Sequence, residues 1–166
     1  MKWLGERGLN GGIDRIPLPL PTGALWLCGK HAVGPDRERA MLRADATTVV
    51  CLVEEYELAD RYPEYLSWLK LHDGGDAVWF PIHDLHAPPL DRARPFLRAL
   101  INRLERDERL LMHCAAGIGR AGTMAACLLV ELGTPTDEAL ALVAASRPMA
   151  GPEAGPQMEL VRALAG

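Results

Sequence analysis

The chain has 166 residues, the length of one domain, and its 49% hydrophobic and 24% charged content is that of an ordinary globular fold. That balance excludes a disordered tail, a collagen and a coiled coil. Eighteen Lys and Arg against 22 Asp and Glu give a formal charge of −4, without the basic surplus of a general nucleic-acid binder. The longest mostly apolar run, Ala121 to Val130, is far short of the ~20 residues that span a bilayer, so no membrane segment is expected. At the start, Glu6 and Arg7 stand where a signal peptide has its apolar stretch, and the expected location is the cytoplasm. Cys28, Cys51, Cys114 and Cys127 form no CxxC pair, so neither a zinc site nor a disulfide framework is expected. Three of the four read as small buried apolar residues.

Residues 1–24 are rich in Gly and Pro, with Pro17, Pro19 and Pro21 alternating, and read as an extended arm packed on a single domain, 25–166. Leu25–Cys28 is a short strand. Asp36–Ala44 is a short helix and Thr47–Val53 a buried strand. From Arg61 to His72, the residues Tyr65, Leu66, Trp68, Leu69 and Leu71 fit one helix face, and Ala77–Ile82 is a further strand before the loop His83–Pro89. Asp91 caps a long helix to Arg106 whose apolar residues recur at helical spacing. Leu110–His113 is a strand and Ala121–Leu132 a helix closed by Gly133. Thr134-Pro135-Thr136-Asp137 starts another helix, which ends before Pro148, and a last one runs from Pro156 to Leu164. Strands alternating with helices predict an α/β fold, a mostly parallel central sheet with helices on both faces.

The informative stretch is His113-Cys114-Ala115-Ala116-Gly117-Ile118-Gly119-Arg120, between a strand and a helix. Such sheets place their ligands at this kind of junction. Gly117 and Gly119 allow backbone conformations in which successive N–H groups turn inward around an anion, and the next helix aims its positive end there. Arg120 adds a planar fork for two phosphate oxygens. A helix N-terminus and a nearby arginine also favour the thiolate of a cysteine, which makes Cys114 a nucleophile for phosphorus.

The run HCAAGIGRAGT resembles the signature of the cysteine-dependent protein tyrosine phosphatases, HCxxGxxR followed by Ser or Thr. It is most similar to that of the small dual-specificity members, those like kinase-associated phosphatase, over about Leu25 to Leu164. The resemblance implies a phosphocysteine intermediate, no metal or cofactor, and a phosphoprotein substrate carrying phosphotyrosine, phosphoserine or phosphothreonine. It assigns Cys114 as nucleophile and Arg120 as phosphate clamp, with the backbone of Ala115, Ala116, Gly117, Ile118 and Gly119 as the cradle. His113 organises the loop. Phe80-Pro81-Ile82-His83-Asp84 before Pro88-Pro89 is similar to the family's general-acid loop, with Asp84 thirty residues before Cys114. Gln157 resembles the glutamine that positions the hydrolytic water. His83 and His86 receive no role. Only 113 residues precede Cys114, which implies the shallower pocket of a dual-specificity enzyme, and the neutral Ala115, Ala116 and Ile118 disfavour a phosphoinositide. One position departs from the pattern: Ala121 replaces the Ser or Thr whose hydroxyl stabilises the departing cysteine. That keeps a second reading open, a phosphate-binding pseudophosphatase or slow-turnover phosphoprotein-binding module.

Overall fold

A computed structural model describes residues 6–166. The strands are β1 (Asp14–Ile16), β2 (Ala24–Gly29), β3 (Thr48–Cys51), β4 (Ala77–Trp79) and β5 (Arg109–Cys114), and they form one sheet in the order β1-β2-β5-β3-β4. The β1–β2 pair is antiparallel and the other pairings are parallel. The central strand β5 is flanked on both sides, and Leu110, Leu111, Met112, His113 and Cys114 are all buried. A continuous apolar run is what a parallel strand covered on both faces requires.

The helices are α1 (Glu6–Asn10), α2 (Lys30–Val33), α3 (Arg37–Ala44), α4 (Tyr56–Ala59), α5 (Pro63–His72), α6 (Leu90–Glu105), α7 (Gly119–Glu131), α8 (Thr136–Ser146) and α9 (Gly155–Ala165). The steps β2 to β3 and β3 to β4 run one way along the sheet, and β4 to β5 runs back. Right-handed crossovers then put α2–α5 on one face and α6 on the other. This is the α/β architecture that the alternation predicts. The apolar run from Ala121 lies in α7, buried from Gly119 to Val130 and contacting α6, α8, α9 and the sheet. An all-round apolar helix of this length is a core helix. Among the described residues, no helix is long and apolar enough to cross a membrane.

Several boundaries differ from expectation. The first five residues of the arm 1–24 lie outside the described residues, and the rest is not wholly extended: α1 precedes β1, which pairs along β2. Leu71 is 80% exposed, because it falls on the solvent side of α5. Asp91 is not a cap; Pro89 holds that position, and Asp91 sits in the first turn, where its charge meets the helix dipole. Pro135, not Thr134, precedes α8. The strand expected over Ala77–Ile82 stops at Trp79, yet pairing continues through Phe80 N–H to Cys51 O and Ile82 N–H to Leu52 O, both 2.9 Å. Those two bonds carry the sheet edge into the Asp84 loop. Cys28, Cys51 and Cys127 are free and buried, and burial pushes each thiol up to about 12.

Candidate active site

β5 ends at Cys114 and α7 begins at Gly119, so the intervening loop wraps the cysteine at the carboxyl edge of the sheet. Cys114 is only 3% exposed. Its Sγ accepts from the Gly117 N–H at 3.2 Å and the Ala121 N–H at 3.5 Å. Gly117 has φ +76, and a Cβ there would run into the Cys28 carbonyl, so glycine is needed twice over. Gly119 differs from the reading that gave it a special backbone role. It is the first residue of α7, without a positive φ, and its missing side chain leaves room for the Glu153 carboxylate. Ala115, Ala116 and Ile118 present no polar side-chain atom, so this part of the loop acts through its backbone.

Arg120 is buried, and its guanidinium is held end-on by a residue the sequence reading missed. Nη1 and Nη2 donate to the two oxygens of Glu57, each at 2.8 Å, and Nη1 also donates to Ile82 O at 2.8 Å. Glu57 Oε2 accepts a further bond from the Glu54 N–H at 2.8 Å. Burial pushes the Glu57 carboxyl up, but the Arg120 fork and the Glu54 amide together hold it below the usual carboxylate range. Burial likewise works against the Arg120 cation, and Glu57 outweighs it. Among the described residues, the Nε of Arg120 is buried without a hydrogen-bond partner, 3.7 Å from Asp84 Oδ1. The Nε side of the fork is therefore the edge left for oxyanions. Nothing local in Glu54-Glu55-Tyr56-Glu57 marks it as more than a solvated acidic stretch.

His113 lies under the loop, fully buried. Its Nδ1 is 3.1 Å from Cys114 O, and its Nε2 is 2.6 Å from the Tyr65 hydroxyl. A carbonyl only accepts, so Nδ1 carries the proton and Nε2 accepts from Tyr65. Burial lowers the imidazole to about 4, which keeps it neutral. The expectation that His113 organises the loop acquires a second partner in Tyr65.

Asp84 stands on an exposed loop between β4 and α6, its side chain 62% exposed. Its Oδ1 accepts from the Leu85 N–H at 3.0 Å, which helps hold Leu85 at φ +66. His83 reaches Glu54 at 2.6 Å, and His86 Nδ1 lies 2.9 Å from Asp84 O, so both histidines brace this loop. Gln157 is fully buried, not an exposed helix-start residue. Its Oε1 accepts from the Glu153 N–H at 2.7 Å and its Nε2 donates to His86 O at 3.3 Å, tying the acid loop to the start of α9. At Ala121, also fully buried, the hydroxyl of the usual pattern is missing, and among the described residues only backbone N–H groups bond to Sγ. Among the described residues the Thr123 hydroxyl is buried without a partner, so it does not substitute.

Arg147 is a second arginine that the sequence reading passed over. It is 3% exposed, and it donates from Nε to Gly117 O and from Nη2 to Ala116 O, both at 2.9 Å. Its Nη1 meets Asp14 Oδ2 at 2.8 Å and Gly12 O at 3.1 Å.

A buried cysteine under inward N–H groups, with an arginine six residues on at the first turn of a helix, defines a cysteine–arginine phosphate loop on an α/β sheet. Residues 26–165 match the family described as PTP-SAK, Swiss Army Knife protein, DSP-PTPase phosphatase domain, and the chain belongs to that family. The crystal structure of Tk-PTP in the active form is similar at 31% identity and a TM-score of 0.68, covering 88% of this chain and 92% of that one. Kinase associated phosphatase, solved with its catalytic site cysteine substituted by serine, superposes with a TM-score of 0.76 over 90% of this chain and 91% of that one; at 20% identity it shares the fold. From Arabidopsis thaliana, the phosphatidylinositol 3,4,5-trisphosphate 3-phosphatase and protein-tyrosine-phosphatase PTEN1 is 36% identical over 100 residues, 59% of this chain. The match spans 21% of that curated relative's length.

Proposed function

We propose that the protein is a metal-independent phosphomonoester hydrolase acting on phosphoproteins, on phosphotyrosine and on phosphoserine or phosphothreonine. The observation that carries this reading is the Cys114 sulfur accepting from the Gly117 and Ala121 N–H groups beside an Arg120 fork whose Nε edge is left open by Glu57. Cys114 attacks phosphorus as a thiolate, a sulfur–phosphorus bond forms, and the ester oxygen leaves with a proton from Asp84. The loop N–H groups and Arg120 hold the equatorial oxygens as charge moves onto them. Asp84, now a carboxylate, takes a proton from water as the water oxygen attacks phosphorus, and the thiolate of Cys114 departs with its electron pair. Gln157 acts in this second step by holding the acid loop through the His86 carbonyl. Neutral side chains at Ala115, Ala116 and Ile118 favour a phosphoprotein over a multiply phosphorylated lipid headgroup. Residues 25–166 form the body of the phosphatase domain, with β1 paired along its edge strand β2, and a cytoplasmic setting is in keeping with four cysteines that form no CxxC pair.

Hydrolysis of an aryl phosphate in EDTA, compared with that by Cys114→Ser, tests the assignment. The serine variant is expected to lose turnover and keep its affinity for vanadate, because the cradle is backbone and Arg120. Substantial hydrolysis by the purified serine variant would remove Cys114 from the mechanism. Phosphotyrosyl and phosphoseryl peptides then separate tyrosine-only from dual specificity.

A further inference from the structure

We infer that Asp14 and Arg147 form a positioning pair that sets the direction of the phosphate-loop N–H groups, so that the segment before β2 is a working part of the active site. The inference rests on the phosphatase reading above and joins Arg147, inside the region matched to the family, to Asp14, which lies before its start at residue 26.

In a trans peptide the C=O and the N–H of one unit point opposite ways. Arg147 Nη2 holds the Ala116 carbonyl at 2.9 Å, and the N–H of that same peptide unit, on Gly117, points at Cys114 Sγ at 3.2 Å. Arg147 Nε holds the next carbonyl, that of Gly117, at 2.9 Å, so the Ile118 N–H of that peptide unit faces away from the fork. One planar fork thus fixes two successive peptide planes. A loop made of Ala, Ala, Gly, Ile and Gly has no side chain of its own with which to do this.

The fork needs support, because a guanidinium at 3% exposure stays charged. Asp14 supplies the counter-charge at 2.8 Å, and the Gly11 and Gly12 carbonyls accept from Nη1 at 3.3 and 3.1 Å. Those carbonyls reach Arg147 because Gly11 and Gly12 have φ of +84 and +79, a turn that L side chains rarely adopt. The Gly-Gly pair near the start of the chain, which reads as loose arm in the sequence, is the hinge of this brace. Asp14 itself is in β1, anchored on β2 by pairing with Leu27.

The test uses the full chain and inorganic vanadate. Wild type, Asp14→Asn, Arg147→Lys and the double variant are compared by vanadate titration well below each melting temperature, with kcat and KM for an aryl phosphate. Lysine keeps a cation beside Asp14 but loses the fork onto two carbonyls. The expected result is that Asp14→Asn and Arg147→Lys each weaken vanadate binding by about tenfold, the loss of roughly one aligned donor, and that the double variant is no worse than Arg147→Lys alone. A pair that only stabilises the fold lowers the melting temperature and leaves vanadate affinity unchanged; that result, or fully additive losses, overturns the inference. Wild type that binds no vanadate overturns the phosphatase reading and this inference together. If Asp14→Asn fails to fold, Arg147→Lys carries the same affinity test.

Discussion

Replacing Glu57 by Gln removes one charge and one acceptor oxygen from the end-on grip on Arg120. In the wild type both carboxylate oxygens accept from Arg120 at 2.8 Å, and the two side chains are 9% and 1% exposed. Removing one partner of such a buried pair costs roughly 3–5 kcal/mol. Gln retains one acceptor and Arg120 retains the Ile82 carbonyl, so about 3 kcal/mol is expected, which in a domain of this size lowers Tm by about 6–12 °C. The freed guanidinium has a competing carboxylate in Asp84, already 3.7 Å from Nε, and turning toward it spoils the edge meant for phosphate. Full loss of an oxyanion donor costs about 10²–10³ in kcat, so partial misalignment should lower kcat/KM by roughly 10–100-fold. The folded Glu57 carboxyl titrates below its unfolded value, so its contribution to stability is present above the ordinary carboxylate range and is lost as pH falls through the depressed value. Glu57→Gln should therefore melt with a flatter acid-side pH dependence than wild type. Melting curves against pH, with steady-state kinetics and vanadate titration at 20–25 °C, read all three effects. A Glu57→Gln protein with wild-type kcat/KM and vanadate affinity would refute the claim that Glu57 aims Arg120.

Asp84→Asn is expected to slow aryl phosphate turnover by about 10²–10⁴-fold and to flatten the basic limb of the pH profile, while Asp91→Asn, altered in the first turn of α6, leaves both in place; the reverse pattern would show that the acid loop has been misread. Ala121→Ser should supply the missing hydroxyl beside the sulfur and speed phosphocysteine hydrolysis, by up to roughly tenfold or somewhat more for a bond to a charged group. Rapid mixing should then show a burst of phenol in the wild type that shrinks in the serine variant, and equal time courses would mean that the second step is not limiting. Burial holds His113 neutral down to about 4 against 6.5 when unfolded, so its stabilisation is full above pH 6.5 and is lost as pH falls toward 4, roughly 3 kcal/mol in all. Tyr65→Phe strands the buried Nε2 and should cost about 1–3 kcal/mol at pH 7, read by chemical denaturation; an unchanged midpoint would place the Tyr65 bond elsewhere.

Local chemistry by itself determined the centre of this protein. The apolar strand into Cys114, the glycine at Gly117 and the helix that carries Arg120 make a phosphate loop legible because nucleophile, cradle and clamp are contiguous in the chain. The alternation of strands and helices was legible for a related reason: a buried parallel sheet writes its pattern directly into apolar runs. Asp84 was found through the family's loop pattern, not through any local property of a solvated carboxylate. What only the tertiary structure decided is how that loop is held. Glu57 lies 63 residues before Arg120, and Asp14 lies 133 residues before Arg147, so no spacing rule links either pair. Tyr65 meets His113 only once α5 lies against the sheet at β4, and Gln157 reaches the acid loop only once α9 is docked. An acidic residue in a polar stretch looks the same whether water or a buried arginine faces it. The difference is a desolvated ion pair, and desolvation is a property of packing that arises only when distant segments close over the charge.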